Sequence, residues 1–384
     1  MQASKLKGVE LRENDILLNI TGDGITFGRA CIVDKHSLPA CVNQHVSIIR
    51  VDTTKASPGF VLAYLTHPNI KEYIESFNAG GSRRAITKGH IESFVVPLPP
   101  INEQHEIATT LQALDDKIAL LRETNATLEA IAQALFKSWF IDFDPVRAKA
   151  EGREPEGVPP EIAALFPSEF EDSALGEIPK GWRVSSFGGL ADVLGGGTPS
   201  TKEPTYWEGG VHCWVTPKDL SGMDTSVLLG TERKITDAGL NKISSGLLPI
   251  GTVLMSSRAP IGYIAIAEMP VAINQGFIAM MPKAGISNLF LLNLVRSRMD
   301  EIKSHANGST FMEISKAAFR PLKVVAPPVS VIQAYDSIAR SLYARLVENQ
   351  RQVGSLAELR DTLLPRLMSG KLRLTDDKAL LETI

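Results

Sequence analysis

The residues best suited to hold a metal ion are Cys31, His36, Cys41 and His45, the one close grouping of cysteine and histidine in the sequence. Thiolate and imidazole ligands at such spacing can bind zinc. The second half of the chain places Ala265 opposite Cys31 and repeats none of the ligands. This favours structural cysteines and loop histidines, so no metal site is predicted. The other histidines are scattered and no nucleophile has an evident base, which predicts no catalytic residue.

Glycine-rich segments give no cofactor loop either. Gly22-Asp23-Gly24, ending at Gly28, is one residue too long for a dinucleotide turn, and a β-like run (29–33) follows where a helix is needed. The sequence has no Gly-x-x-x-x-Gly-Lys-Ser/Thr phosphate loop and no Asn/Asp-Pro-Pro-aromatic run of the kind that amino-methyltransferases use. A chain that binds no cofactor itself is therefore predicted.

Two long helices with heptad repeats are the longest elements that the sequence predicts, and they must help to position any binding residues. Pro99-Pro100-Ile101 begins a helical pattern that reaches Phe140, and Pro327-Pro328-Val329, at a constant offset of 228, begins one that reaches Met368. The apolar seams contain Ile107, Leu114, Leu121, Leu128 and Leu135 in the first helix and Tyr335, Leu342, Asn349, Leu356 and Leu363 in the second. A sustained seam of roughly 42 Å predicts an antiparallel coiled-coil spacer, with Asn125 and Asn349 fixing the register. The alternative is two long helices that each lie on a globular core.

A globular α/β segment precedes each helix, so the repeat covers domain plus helix. Strands are predicted at 15–20, 29–33, 46–50 and 94–97, with a helix at 59–77. The second copy has strands at 211–215, 251–255, 263–267, 277–281 and 322–325, with a helix at 288–304. Asn43-Gln44 of the first copy corresponds to Asn274-Gln275 of the second. The second copy has a long segment (182–246) before its strand at 251, whereas the first has only residues 1–14, so we expect the first copy to lack its front.

An acidic, proline-rich linker lies between the copies. Residues 142–179 contain ten acidic and three basic side chains, so the rest of the chain is mildly basic although the whole carries a net charge of −3. That balance is compatible with nucleic-acid binding. Three cysteines without a close pair favour a reducing cytoplasm, and no apolar run approaches the length of a membrane span.

Several motifs resemble the specificity subunits of type I restriction-modification enzymes, and the resemblance extends over nearly the whole chain. The motifs are Gly195-Gly196-Gly197-Thr198-Pro199-Ser200 with Tyr206-Trp207, the run from Trp214 to Leu220, the run from Ser256 to Gly262, the run from Leu135 to Pro145, and the run from Leu364 to Leu372. Together, in this order, they are specific.

The resemblance implies a non-catalytic, DNA-binding subunit with two target-recognition domains separated by two antiparallel spacer helices. Each domain would read half of a split site in double-stranded DNA. The subunit would dock two methyltransferase subunits, which use S-adenosylmethionine, and in the full complex ATP-dependent restriction subunits that translocate and cut DNA. The implied organisation is 1–98 first recognition domain, 99–140 first spacer helix, 141–180 linker, 181–326 second recognition domain, 327–372 second spacer helix and 373–384 tail.

Loops rich in hydroxyl and basic side chains are the predicted DNA contacts, since such groups bind phosphates or base edges. In the second domain they are Thr198, Ser200, Lys202, Thr216, Lys218, Ser257, Arg258, Ser309 and Thr310, and in the first they are Thr21, Arg83, Arg84 and Lys88. For each basic residue the alternative is a solvated surface charge. Trp207 and Trp214 are predicted to be core residues rather than base-stacking platforms.

The dense apolar ends of the two long helices are the predicted partner-docking surface. They contribute Phe136, Trp139, Phe140, Leu364 and Leu367. Large aromatic side chains commonly dominate protein interfaces. A competing interpretation is a truncated coiled-coil scaffold that assembles partners but has lost DNA reading.

Overall fold

The computed structural model describes residues 9–22, 26–77, 84–308, 312–369 and 371–374. The chain forms two compact units. The first unit comprises residues 1–120 and 352–384, and the second unit comprises residues 121–351. Each of the two long helices contributes to both units.

The first unit is built around a small antiparallel sheet. Its elements are β1 (Ile16–Asn19), β2 (Thr21–Gly22), β3 (Ala30–Ile32), β4 (Val46–Ile49), α1 (Pro58–Thr66), α2 (Pro68–Ser76), β5 (Arg84–Ala85), α3 (Lys88–Glu92) and the first part of α4 (Ile101–Phe140). The sheet order is β3-β1-β4. Ile16 and Leu18 alternate along β1 and are fully buried, as period-two patterning requires of a half-buried strand.

Two expectations for this unit are wrong. The helix expected at 59–77 is two helices, because Pro68 cannot donate a backbone hydrogen bond and starts α2 afresh. The segment 94–97 is not a strand. Its counterpart in the second unit is paired to a neighbouring strand, whereas no strand among the described residues of the first unit pairs with it.

The second unit is larger and holds most of the regular structure. Its elements are α5 (Asp144–Ala150), α6 (Pro160–Ala163), β6 (Phe170–Ser173), β7 (Gly176–Pro179), β8 (Arg183–Ser186), α7 (Phe187–Leu190), β9 (Ala191–Gly195), β10 (His212–Val215), α8 (Pro217–Leu220), β11 (Val227–Leu228), β12 (Arg233–Ile235), α9 (Asp237–Leu240), β13 (Val253–Ser256), β14 (Ile264–Ala267), β15 (Val271–Ile273), β16 (Phe277–Pro282), α10 (Asn288–Ser297), α11 (Met299–Ser304), α12 (Lys316–Phe319), β17 (Lys323–Ala326) and part of α13 (Val329–Met368). The helix expected at 288–304 is divided at Arg298 into α10 and α11.

The central sheet of the second unit has the order β11-β14-β13-β16-β9. Its middle three strands correspond to β3-β1-β4, since β13 pairs antiparallel with β14 and β16 as β1 does with β3 and β4. A second sheet has the order β12-β10-β15, and β8 pairs with β17. The internal repeat expected from the sequence is therefore present in the sheets.

The two long helices pair antiparallel inside the second unit. Asn349 Nδ2 donates to Asn125 Oδ1 across 2.9 Å, and both side chains are fully buried. Further along α4, the Phe136 ring lies 5.8 Å from the ring of Tyr335. The antiparallel pairing expected from the heptads is confirmed, and the two seam asparagines meet as a buried amide pair, a device that fixes register in coiled coils. No helix in the described part of the chain is long and apolar enough to cross a membrane.

The linker is more ordered than its prolines suggest. Residues 144–150 form α5, and β6 pairs with β7 as a hairpin. Val146, Phe166 and Ile178 are buried in the same apolar core as the aromatic end of α4. Buried side chains at these intervals explain why a segment with many helix breakers still folds.

Candidate nucleic-acid interface

Three loops of the second unit meet at the turn between β15 and β16. The backbone N–H of Asn274 donates to Val215 O after β10 (3.0 Å), and that of Gly197 after β9 donates to Ile273 O (2.9 Å). After β13, the N–H of Ser257 donates to the carbonyl of Gly276 (2.8 Å). The loops that carry most of the predicted DNA contacts are therefore joined by backbone hydrogen bonds.

The loops touch closely at two glycines, and at Gly196 a glycine is required. A β-carbon at Gly196 would lie 1.9 Å from Ile273 O, a distance that no side chain can accept. At Gly276, a β-carbon would lie 3.2 Å from Pro217 Cγ and 3.5 Å from Arg258 Nε. The Gly195-Gly196-Gly197 run thus allows the β9 loop to pack directly against the next loop.

The β9 loop presents exposed polar side chains on a rigid support. Thr198, Ser200 and Lys202 are exposed, and Thr198 Oγ1 donates to Gln275 Oε1. The indole N–H of Trp207 donates to Ser200 O (3.0 Å), and that of Trp214 to Gly197 O (3.1 Å).

The two tryptophans form a supporting cluster under this loop. Their rings meet edge to face at 5.0 Å, and the Arg233 guanidinium lies 3.7 Å from the centre of the Trp207 ring. Trp214 is buried and Trp207 is half-buried. Both hold the loop through hydrogen bonds, and Trp214 has no exposed face on which a base could stack.

Arg258 is half-exposed and lies beside Glu313. The closest nitrogen–oxygen distance between the two side chains is 3.6 Å, and their backbones form a β-bridge. A half-exposed ion pair of this length is weak. The guanidinium can therefore exchange Glu313 for a base edge or a phosphate with little loss.

Thr216 and Lys218 have local structural partners. The Thr216 hydroxyl and backbone N–H both donate to Asp219 Oδ2 (2.7 Å each), a capping box at the start of α8. Lys218 Nζ lies 2.7 Å from Glu232 Oε2, and this hydrogen bond raises the pKa of the ammonium group. Lys218 is still highly exposed. Thr216 and Lys218 therefore remain predicted DNA contacts, although Asp219 and Glu232 would compete with DNA for them.

Ser257 does not fit the predicted role of a DNA contact. The residue is 2% exposed, and its backbone joins two segments by donating to Gly276 O and accepting from Ile314 N (3.0 Å). Its hydroxyl cannot reach DNA from inside the fold. The backbone of Ser257 is hydrogen-bonded to a different segment on each side, at Gly276 and at Ile314.

The first unit contains the same junction with different side chains. The N–H of Ile20 donates to His45 O (2.9 Å), and its carbonyl accepts from Ile86 N (3.0 Å), as Ser257 does with Gly276 and Ile314. Thr21 then occupies the place of Arg258, and its hydroxyl is hydrogen-bonded to His45 Nδ1 at 2.5 Å.

The turn that faces this junction is also repeated. The N–H of His45 donates to Asn43 Oδ1 (2.9 Å), and that of Gly276 donates to Asn274 Oδ1 (2.8 Å). His45 therefore belongs to this turn. No group of three or more metal-ligating side chains converges anywhere in the described ranges.

The other predicted contacts of the first unit are only partly placed. Lys88 begins α3, and its side chain is 86% exposed, 3.4 Å from Glu92. Arg84 lies in β5, whose backbone pairs with β2. Arg83 lies outside the described residues, as do Ser309 and Thr310, the last two contacts predicted for the second recognition domain.

Three residues of the junctions were not among the predicted contacts. Gln275 and His45 are the partners of Thr198 and Thr21. Lys316 begins α12 as Lys88 begins α3, and its Nζ would lie 2.7 Å from a β-carbon on Gly195. The offset of 228 that relates the two long helices also relates Lys88 to Lys316, so the repeat itself could have identified it.

The predicted docking residues are not exposed. Phe136 and Trp139 are each 2% exposed, and both belong, with Phe140, to the aromatic core of the second unit. Leu364 and Leu367 are buried in the first unit against Phe60, Ile107 and Leu111. These side chains stabilise the chain itself, and the expected apolar docking surface does not exist at their positions.

Comparison with known proteins identifies the family. Residues 3–130 and 179–342, the greater part of the chain, match the family described as the type I restriction modification DNA specificity domain. The chain belongs to this family. Its mixed α/β fold, with two domains and two long helices, is the one expected for these specificity subunits.

Several relatives are specificity subunits. The chain is 27% identical to the type I restriction enzyme HindI specificity subunit of Haemophilus influenzae, over 94% of this chain and 87% of that protein. It is 36% identical to the MjaIX specificity subunit of Methanocaldococcus jannaschii, but over only 50% of this chain and 44% of that protein. A crystal structure of the S subunit of a type I restriction-modification system from M. genitalium has a similar fold, with a TM-score of 0.53 and 18% identity over 94% of this chain and 84% of that one.

Proposed function

We propose that this chain is the non-catalytic, sequence-specific DNA-recognition subunit of a type I restriction-modification complex and reads a bipartite target. The observation that carries the proposal is the repeated junction. Both units join three segments with the same backbone hydrogen bonds, at Ile20 in one and Ser257 in the other. The side chains presented next to that junction differ, with Thr21 beside His45 in one unit and Arg258 beside Gly276 in the other. One scaffold with two different sets of reading residues is what recognition of two unequal half-sites requires.

The chemistry of the exposed side chains suits duplex DNA. Arginine binds guanine O6 and N7 in the major groove, and hydroxyl and amide groups bind base edges or phosphates. Thr198 offers a hydroxyl on the loop after β9, and Gln275 offers an amide on the turn between β15 and β16. Arg258 offers a guanidinium on the loop after β13. Lys88 and Lys316 have positions at which an ammonium group can meet a phosphate.

The competing proposal is a scaffold that assembles partners without reading DNA. Binding of the chain, assembled with methyltransferase subunits, should be measured by gel shift against a pool of random duplexes. Recognition predicts that a small fraction of the pool is retained at a salt concentration that releases the rest. Equal retention of all duplexes, with assembly intact, would favour the scaffold.

Docking of methyltransferase subunits needs a surface other than the buried helix ends. Ile131 of α4 is 49% exposed and Leu359 of α13 is 40% exposed. The two residues are related by the same offset of 228, so each long helix offers one exposed aliphatic side chain at an equivalent position. Two identical partners would find two equivalent contacts there.

Substitution with aspartate tests this docking surface. Ile131→Asp and Leu359→Asp should each weaken retention of the methyltransferase subunit in a pull-down, and the double variant should abolish retention of both copies. Ala130→Asp, an exposed neighbour on α4, is the matched control. Full retention of two copies by the double variant would place docking elsewhere.

A further inference from the structure

Two side chains are repeated in the junctions of the two units. Gln44 and Gln275 each follow an asparagine whose Oδ1 accepts from the backbone N–H two residues further on. Lys88 and Lys316 each begin a short helix, α3 in the first unit and α12 in the second. Each junction therefore contains one glutamine and one lysine at equivalent positions.

In the second unit this glutamine and this lysine lie on the two segments that are bonded to the strand end carrying Arg258. The residue before Arg258 donates its backbone N–H to Gly276 O (2.8 Å) and accepts from Ile314 N (3.0 Å). Gln275 is the residue before Gly276, and Lys316 lies two residues after Ile314. Backbone hydrogen bonds thus hold the three side chains on one scaffold.

The first unit holds its glutamine and lysine in the same way. The residue before Thr21 donates its N–H to His45 O (2.9 Å) and accepts from Ile86 N (3.0 Å). Gln44 is the residue before His45, and Lys88 lies two residues after Ile86. The residue between the two neighbours therefore changes from one unit to the other, while the two neighbours are kept.

The repeated glutamines offer amide N–H groups. Gln44 and Gln275 are both exposed. Gln275 Oε1 already accepts from the Thr198 hydroxyl, which occupies one acceptor site of the amide. Adenine needs an amide that accepts from N6 and also donates to N7, whereas a phosphate oxygen needs only a donor. The Gln275 side chain is therefore better suited to a phosphate than to a base.

The repeated lysines keep their charge available to a ligand. Lys88 Nζ lies 3.4 Å from Glu92 Oε1, and an ion pair between side chains that are 86% and 65% exposed is weak. Lys316 is exposed, and it has no acidic partner among the residues that the structure describes. An exposed ammonium group binds phosphate as a point charge.

We infer that the glutamine and the lysine of each junction bind backbone phosphates of the DNA and hold the residue between them at a base edge. The inference rests on the proposed function. Phosphate contacts fix register and orientation on a duplex, whereas base contacts specify sequence. The repeated side chains suit the backbone, which two half-sites have in common. Thr21 and Arg258 suit the bases, which differ between them.

Substitutions in the second unit test the inference on the chain assembled with its methyltransferase subunits. Affinity is measured at several salt concentrations on the duplex that wild type selects and on scrambled duplexes. Lys316→Gln should weaken binding by the same factor on all of them and lower the salt slope by about one unit. Gln275→Leu should weaken binding about two- to tenfold on all of them and leave the salt slope unchanged, because an amide neutralises no phosphate. Lys303→Gln, at an exposed lysine of α11 outside the junction, is the matched control.

Gln275→Glu separates a phosphate contact from a base contact. A carboxylate beside a phosphate should weaken binding on every duplex, and more at low salt than at high salt. Selection from a random pool should still enrich the wild-type motifs, and Gln44→Glu should behave in the same way in the first unit. A changed base preference at one position of a motif, or wild-type affinity in the Gln275 and Lys316 variants, would overturn the inference and leave the proposed function standing.

Two further measurements identify which statement has failed. The melting temperature of each variant should equal that of wild type, because the substituted side chains are exposed. A wild-type assembly that prefers no duplex would overturn the proposed function, and this inference with it.

Discussion

Individual residues of the two junctions differ in ways that their backbones do not. Thr21 and Arg258 occupy the same place beside equivalent hydrogen bonds, but one carries a hydroxyl paired with His45 and the other a guanidinium beside Glu313. Different side chains at the same backbone position can change the DNA sequence that is recognised without changing the fold. Arg258 is therefore the residue whose substitution should affect specificity most.

Arg258→Ala should cost about 1–3 kcal/mol of binding free energy on the preferred duplex and relax the preference at one base pair. The loss should be much smaller on scrambled duplexes, because a base contact has no equivalent there. Affinity is measured on both duplexes at several salt concentrations. Glu313→Gln, which leaves Arg258 in place, should keep the preference. Uniform weakening on all duplexes, with the salt slope lower by about one unit, would show a phosphate contact instead.

Asp15 gives the first unit a stability that depends on pH. Its carboxylate accepts from Arg50 Nε (2.7 Å) and Nη2 (2.6 Å) and from Arg12 N (2.7 Å). The hydrogen bonds from Arg50 lower the pKa of this carboxyl group, although burial opposes the shift. A lowered pKa in the folded state means that the stabilisation is present above the unfolded value, about 3.9, and is lost as the pH falls through the folded value.

Asp15→Asn should lower the free energy of unfolding near neutral pH by about 1.5–3 kcal/mol, the usual contribution of a hydrogen bond to a charged group. The difference from wild type should shrink as the pH falls below about 4. All four tryptophans lie in the second unit, so tryptophan fluorescence would miss the first unit, and unfolding is measured by circular dichroism, which reports both units. Glu13→Gln, at an exposed neighbouring carboxylate, should change little. If the difference in unfolding free energy between Asp15→Asn and wild type is as large in acid as at neutral pH, the stabilisation by Asp15 does not depend on its charge.

At the scale of elements, the long helices combine a seam with an exposed face. Leu121 and Ile118 are each 4% exposed, whereas Ile131 is 49% exposed on the same helix. The buried pair Asn125–Asn349 limits the seam to one register, because a shift would leave two amides without partners. Seam residues should therefore govern stability, and face residues should govern assembly.

Leu121→Asp should lower stability by at least the roughly 2–5 kcal/mol that truncation of a buried leucine costs, since a charge is buried as well. Assembly with partners should fall in parallel with the melting temperature. Ala130→Asp, at an exposed position outside the seam that leaves Ile131 in place, should leave both the melting temperature and assembly near those of wild type. Unchanged melting of the Leu121 variant would show that this side chain does not lie in a packed seam.

Regular elements were predictable where periodicity is long or alternation is clear. The heptads gave both forty-residue helices to within two residues, and the alternation in residues 15–20 gave β1. The division of the second unit's helix at Arg298 could not be predicted without tertiary information. In the first unit, Pro68 already indicated in the sequence that the helix would be divided. A short apolar helix at 161–166 was predicted within the linker, and α6 lies at Pro160–Ala163. The hairpin of β6 and β7 could not be predicted, because it depends on Ile178 packing in a distant core.

The candidate interface was predictable only in part. Loop composition identified Thr198 and Arg258, which the structure brings to one junction. It could not separate Arg258 from its neighbour Ser257, because burial of one and exposure of the other depend on a bridge to Glu313, far along the chain. Apolar density at the helix ends suggested docking, but dense aromatic residues serve a core equally well, and at Trp139 they do.

The whole molecule contains the same junction in both of its units, and we propose that the two junctions recognise two different half-sites. The sheets β3-β1-β4 and β14-β13-β16 establish the repetition of the scaffold. Thr21 and Arg258 differ at the same place in this scaffold, so the proposed reading surfaces of the two units should recognise different bases. Substitutions in one unit should therefore change recognition of one half-site and leave recognition of the other half-site unchanged.

Selection of bound duplexes from a random pool, followed by sequencing, tests this claim most directly. Wild-type chain assembled with its methyltransferase subunits should enrich two short motifs at a fixed spacing. Arg258→Ala should relax one motif and leave the other intact, and Thr21→Ala should do the reverse. Enrichment of a single continuous motif, or loss of both motifs in either variant, would contradict the account.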